Sequence, residues 1–307
     1  MAIDDATILC SRKDVPRLPV ELLRNVFEMA ADAAVYTSMA DLAAYTRVSK
    51  TVRCWLAETF YRTVHVDAND RWGAFMATAK AHGSLPVLNL SVVGFQPRAE
   101  DFIAVLKILP KLRNVQIPLC LVPALGAADI PGITRLFISK HGPPTAEPLA
   151  PGLCTHVTHV FYEPFYTGLY PPEMRAALPT AFPAVTHFGI LYLAAAGDAV
   201  LRDLMVLARD LLTGDRLQRF YVRVYASEQN NALNDAREIA EHIAAAPLAD
   251  SRIFVGAASL TEWMWKPGHT GNCTPRSMLW GADAQKWFDI WGHGRPVRVA
   301  REEEDVL

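Results

Sequence analysis

The 307-residue chain is 51% hydrophobic and 20% charged, with a net charge of −2 and a pI near 6.5. That composition excludes disorder throughout, supplies apolar material for one large domain or two, and offers no basic excess with which to hold a polyanion, so no nucleic-acid partner is expected. Cys10, Cys54, Cys120, Cys154 and Cys273 are odd in number, scattered and without C-x-x-C spacing, so neither a disulfide framework nor a zinc site is signalled. The acidic start Met1–Asp5 is unlike a secretory signal, and no apolar run reaches the ~18–20 residues that cross a bilayer. A soluble protein of the cytoplasm or nucleus is expected, with no membrane partner.

In chain order, residues 1–14 form a flexible leader and residues 15–66 a helical domain. The domain's three helices are expected near Val20–Ala34, Met39–Val48 and Ser49–Phe60. Leu22, Leu23, Val26, Phe27 and Ala30 make a stripe too wide for one thin contact, so one side can pack inward and the rest can be offered to a partner. Leu42, Val48, Val52, Trp55 and Leu56 complete the small core.

Residues 67–298 carry a repeated pattern, Φ-x-x-Φ-x-Φ with Φ apolar. It recurs at Leu85/Leu88/Leu90, Leu112/Val115/Ile117, Ile133/Leu136/Ile138, Val157/Val160/Tyr162, Val185/Phe188/Ile190 and Leu217/Phe220/Val222, with a degraded copy at Ile253/Val255. The starts of the six full copies lie 27, 21, 24, 28 and 32 residues apart, the scale of stacked supersecondary units. The last two apolar residues of each copy share one face of a strand, and the first turns inward from the entering loop. A unit with so narrow an apolar edge cannot close a core alone, so neighbours must stack, most simply as a parallel sheet.

Helical segments separate these strands. Phe102, Val105, Leu106 and Leu109 recur at helical spacing, Pro171-Pro172 can open a short helix, and Asp198 can cap one carrying Leu201, Leu204, Met205, Leu211 and Leu212. Leu233, Ala236, Ile239 and Ile243 form a further face. Pro110, Pro131 and Pro183 stand two residues before strand starts, where a missing N–H stops a helix.

The repeat region, over roughly residues 85–260, resembles the leucine-rich repeat family, with Val, Ile or Phe often in place of Leu. The leader resembles an F-box: Leu18-Pro19-x-Glu21-Leu22-Leu23-x-x-Val26-Phe27, then Leu42, Val48-Ser49-Lys50-x-Val52 and Trp55, ending in Tyr61-Arg62-Thr63-Val64. The stretch Asp32–Asp41 is longer than that family's usual connection between its first two helices. The resemblance implies an α/β fold with a small F-box-like domain ahead of an irregular leucine-rich-repeat-like solenoid, its sheet mainly parallel. It also implies a non-enzymatic adaptor of a Skp-cullin-F-box-type ubiquitin ligase, similar to fungal proteins of that arrangement. Leu18, Pro19, Leu22, Leu23, Val26, Phe27, Val48, Val52 and Trp55 would meet the Skp-type adaptor. A repeat-built binding module without a ligase role, its leader serving as a cap, is the alternative.

Strand positions between the apolar ones face the other side of the sheet. They are Asn114 and Gln116, Arg135 and Phe137, His159 and Phe161, His187 and Gly189, then Arg219, Tyr221 and Arg223, with Arg252 and Phe254 at the degraded copy. Aligned Arg and aromatic side chains suit capture of a protein substrate, so Arg135, Phe137, His159, Phe161, His187, Arg219, Tyr221 and Arg223 are the candidate substrate-binding residues. A sheet covered on both faces would instead make Phe137, Phe161 and Tyr221 core residues, although three buried guanidinium groups would each need a partner. His156 and His159 are three apart on an extended segment and face opposite ways, so no metal site is expected.

No nucleophile elbow, phosphate-cradling loop, dinucleotide fingerprint or H-E-x-x-H motif occurs, so no catalytic residue and no cofactor is expected. Trp263, Trp265, Trp280, Trp287 and Trp291 cluster near the C-terminus, where Trp287 and Trp291 suit a cap on the sheet. Residues 299–307 form an acidic tail.

Overall fold

A computed structural model describes residues 18–37, 39–139, 149–163, 172–193, 197–226, 229–245, 250–259 and 295–296. The chain divides into two compact units, Met1–Phe60 and Tyr61–Leu307.

In the first unit, α1 (Val20–Thr37) and α2 (Met39–Tyr45) are followed by α3, which begins at Lys50. The stretch expected as a long connection is thus largely helix, because Asp32–Thr37 continues α1. Ser49 opens α3, its hydroxyl accepting from the Val52 amide at 3.1 Å. The core consists of Ala31, Val52 and Leu56, with Phe27, Tyr45, Trp55 and Phe60 packed around it.

The second unit is α/β. Its strands are β1 (Thr63–Val66), β2 (Asn89–Val92), β3 (Asn114–Pro118), β4 (Arg135–Ser139), β5 (His159–Tyr162), β6 (His187–Leu193), β7 (Arg219–Ala226) and β8 (Ile253–Ser259). All eight run parallel and lie side by side in chain order; a two-residue β9 (Arg295–Pro296) pairs antiparallel with β8. Between them run α4 (Asn69–His82), α5 (Ala99–Lys107), α6 (Val122–Ala128), α7 (Pro172–Ala181), α8 (Gly197–Leu212) and α9 (Gln229–Ala245). Among the described residues no helix is long and apolar enough to cross a membrane.

Register explains the core. Val64, Leu90, Val115, Leu136, Val160, Phe188, Phe220 and Ile253 occupy one lateral row through all eight strands. Two residues further along, Ile117, Ile138, Tyr162, Ile190, Val222 and Val255 form a second row. Nearly all of these residues are buried, in one cluster with Trp72, Phe102, Leu106, Leu178, Leu204 and Ile239 from the helices. The rings of Phe188 and Phe220 stack nearly parallel within their row, 5.9 Å apart. Sequential order and a single apolar face belong together, since each crossover lays its helix on the same side as the last.

Three expectations are corrected by this register. The first repeat is framed Val87/Leu90/Val92, because Leu90 pairs with Val115. The stretch Tyr61–Val66, read from sequence as the end of the helical leader, contains the sheet's first strand, with Tyr61/Val64/Val66 repeating the same pattern. Leu233 is exposed while Ala236, Ile239 and Ile243 are buried, because α9 rotates its inward face past it. The tryptophan-rich segment 263–291 and the acidic tail lie outside the described residues.

The α6 helix also approaches the chain after β4 unusually closely. A Cβ on Gly126 would collide with the backbone oxygen and side chain of Leu153, and the backbone there cannot simply rotate away. Gly126→Ala should therefore destabilise the protein by about 1–3 kcal/mol, despite alanine's better helix propensity. Urea denaturation measures this; unchanged or raised stability would contradict the packing.

Candidate functional site

The face opposite the core carries two further rows, set by the same register. The first runs Thr63, Asn89, Asn114, Arg135, His159, His187, Arg219. The second runs His65, Ser91, Gln116, Phe137, Phe161, Gly189, Tyr221, Phe254. Neighbouring strands stand about 4.8 Å apart, so side chains in one row touch their lateral neighbours directly.

On β1–β3 the rows form uncharged ladders. Asn114 Nδ2 donates to Asn89 Oδ1 at 2.5 Å, and Asn89 Nδ2 donates to Thr63 Oγ1 at 2.8 Å. Ser91 Oγ donates to Gln116 Oε1 at 2.7 Å and lies 3.0 Å from His65 Nδ1. Asn89, Ser91, Asn114 and Gln116 are buried, which overturns the expectation that Asn114 and Gln116 stand exposed. Each buried amide finds its partner one strand away, and so tolerates burial.

On β4–β8 the same rows change chemistry. The imidazoles of His159 and His187 stack with centroids 4.3 Å apart and planes within 10°. Phe137 and Phe161 stack at 5.0 Å, and the Arg219 guanidinium lies 3.6 Å from the centre of the Phe254 ring. The Tyr221 ring extends over Gly256, where any Cβ would meet its phenol. Arg223 follows one step along β7, opposite Leu191.

All eight candidate substrate-binding residues thus share one face and adjoin in register. Arg135, Phe137, His159, His187, Arg219 and Arg223 are half-buried, whereas Phe161 and Tyr221 are buried. Arg252 is not part of the surface. It pairs with Asp250 at 2.7 Å and donates to the carbonyls of Leu212, Gly214 and Leu217, tying down the end of α8. His156 is separate as well, 3.3 Å from Asp129. Among the described residues no three His, Cys, Asp or Glu side chains gather as a metal site would require.

Electrostatics follow from placement. Burial first, then His187 and Arg135, push His159 down to about 4; burial, Arg219 and Arg135 lower His187. Burial raises the Tyr221 phenol. Elsewhere, desolvation pushes the buried Cys154 thiol up to about 12, which removes its nucleophilic thiolate at neutral pH.

The leader presents a second surface. Leu18, Pro19, Leu22, Val26 and Val48 are exposed, Leu22 at 50% and Val26 at 56%, so Val48 does not complete the small core as expected. Leu23 is half-buried, Val52 is buried, and Phe27 and Trp55 pack on the core, Phe27 meeting Tyr45 edge-on at 6.5 Å. Met29, at 72% exposure, extends the stripe and was missed, although Leu18, Leu22, Val26 and Met29 fall at i, i+4, i+8 and i+11. The Leu42 side chain lies outside the described residues.

No family model matches the chain, and no curated protein matches it.

The depressed histidines make stability depend on pH. The unfolded chain binds more protons than the folded one between the ordinary value of 6.5 and about 4, so stability is full above pH 6.5 and falls as pH drops through that window. Allowing for solvent screening of half-exposed rings, wild type should lose about 1 kcal/mol more than His159→Gln/His187→Gln between pH 7.5 and 5. Denaturant titrations at the two pH values measure the difference, and equal losses would contradict it.

Proposed function

We propose that the chain is the substrate-recognition adaptor of a Skp-cullin-F-box-type ubiquitin ligase, docking through its leader and capturing a protein substrate on its sheet. The leader's motif from Leu18 to Phe27, its three helices, and the chain-ordered parallel strands of the second unit all suit that arrangement. Its second unit is then an irregular leucine-rich-repeat-like solenoid, whose variable positions face away from the helices.

The observation that carries this reading is that α1 has two apolar stripes. Phe27 and Ala31 turn toward the small core, while Leu22, Val26 and Met29 remain largely in solvent, continued by Leu18 just before the helix. Leu22 and Val26 are already about half covered, so completing the burial of Leu22, Val26 and Met29 with a partner contributes on the order of 1–2 kcal/mol each, in keeping with a patch that a monomer would otherwise avoid.

Leu22→Asp and Val26→Asp are the informative changes, because neither residue belongs to the core, whereas Phe27→Asp would unfold the leader. Each should weaken association with a purified Skp-type adaptor at least tenfold, a change of about 1.4 kcal/mol or more, while circular dichroism and melting stay at wild-type values. Titration calorimetry decides the matter. Absence of wild-type binding, or unchanged binding by both variants, would overturn the proposal.

A further inference from the structure

The eight parallel strands contain no aspartate or glutamate, although buried Glu163, its amide donating to Ile138 O, extends β5 by one residue; they carry Arg135, Arg219 and Arg223 together with His65, His159 and His187. The cations and histidines are concentrated. Arg135, His159, His187 and Arg219 occupy consecutive positions of one row across β4–β7, with the two rings stacked between the two arginines.

Local hydrogen bonding orients the rings. Thr158 precedes His159 and Thr186 precedes His187, and each threonine Oγ1 lies 2.9 Å from the following Nδ1. Each hydroxyl also donates to a carbonyl one strand away, Thr158 to Thr134 and Thr186 to Thr158, both at 3.2 Å. The same carbonyls accept backbone amides, Thr134 O from Thr158 and His159 and Thr158 O from Thr186 and His187, so each hydroxyl is held between carbonyl and ring and fixes the ring's orientation.

We propose that the Arg135–His159–His187–Arg219 row is the docking site for an extended acidic peptide of the substrate, carboxylates facing the two arginines and the stacked pair between them. This rests on the reading of the sheet as the capture surface. Three strand spacings span about 14 Å, and an extended chain advances about 3.3 Å per residue, so acidic side chains at i, i+2 and i+4 match Arg135, the histidine pair and Arg219. Carboxylate recognition by paired guanidinium groups suits that geometry.

Binding takes up a proton from solvent on the imidazole pair. Burial first, then Arg135 from β4 and Arg219 from β7, hold the pair neutral in the free protein, and a carboxylate beside the rings opposes the arginines. Only one ring need charge, because two imidazolium ions at stacking distance repel. An acidic peptide is favoured over single-stranded nucleic acid because the chain is net negative and the cationic row spans only four strands.

Fluorescence anisotropy on the full chain, with a labelled heptapeptide bearing glutamates at alternate positions, tests this. Affinity should be roughly tenfold higher at pH 5.5 than at 7.5, an average uptake of about half a proton across that interval. Arg135→Gln/Arg219→Gln should weaken it at least tenfold at both pH values, and His159→Gln/His187→Gln should remove the pH dependence, melting curves establishing that each variant folds. A lysine counterpart should not bind, and a glutamate peptide with contiguous charges should bind more weakly. No binding, a flat wild-type pH profile, or tighter binding of oligouridylate would overturn the proposal. Leu22→Asp separates the two readings: it should leave peptide affinity unchanged, and failure of the peptide to bind leaves adaptor association through the leader untouched.

Discussion

The structure depends on lateral register. In a parallel sheet whose strands follow chain order, each side chain stands about 4.8 Å from its counterpart on the next strand, and a shift of one residue would turn every apolar side chain to the wrong face. The row from Val64 to Ile253 satisfies this constraint eight times over, against helices that all lie on its side. Since successive residues alternate faces, fixing the apolar rows also fixes the opposite ones. The alignment of Arg135, His159, His187 and Arg219 is a consequence of packing on the far side of the sheet.

The same spacing gives the opposite face its chemistry. Asparagine and serine at matched positions become donor–acceptor ladders on β1–β3, where burial costs little because every step is satisfied. Rings at matched positions become stacks on β4–β6. Like charges cannot be stacked in this way without loss, and the row accordingly interposes two neutral imidazoles between its arginines. The cost is a pair of histidines held below their ordinary protonation range, which makes that part of the face responsive to an incoming anion.

Much of this was legible because the repeat pattern names the inward residues directly: five of the six full copies have the observed frame, from Leu112/Val115/Ile117 to Leu217/Phe220/Val222. The first slipped because Leu85/Leu88/Leu90 and Val87/Leu90/Val92 satisfy the same pattern, and only pairing with β3 chooses between them. β1 escaped notice because Thr63–Val66 follows α3 without a break. The short α6, with Pro123 and Gly126, has too little periodicity to reveal a helix. Burial of Gln116, Phe161 and Tyr221 depends on neighbours more than twenty residues away, beyond the reach of local pattern. On the leader, the exposed and inward stripes of α1 interleave, so Phe27 and Val26 read alike until the core partners Tyr45, Val52 and Leu56 are placed.

Double electron–electron resonance between spin labels at Thr63 and Arg219 measures the strand order on which everything else rests. Six intervals in chain order separate those positions in one row, so the account expects a distance of about 25–30 Å. A principal distance below about 20 Å would mean that β1 and β7 lie closer than chain order permits, and would contradict both the sequential sheet and the row built upon it.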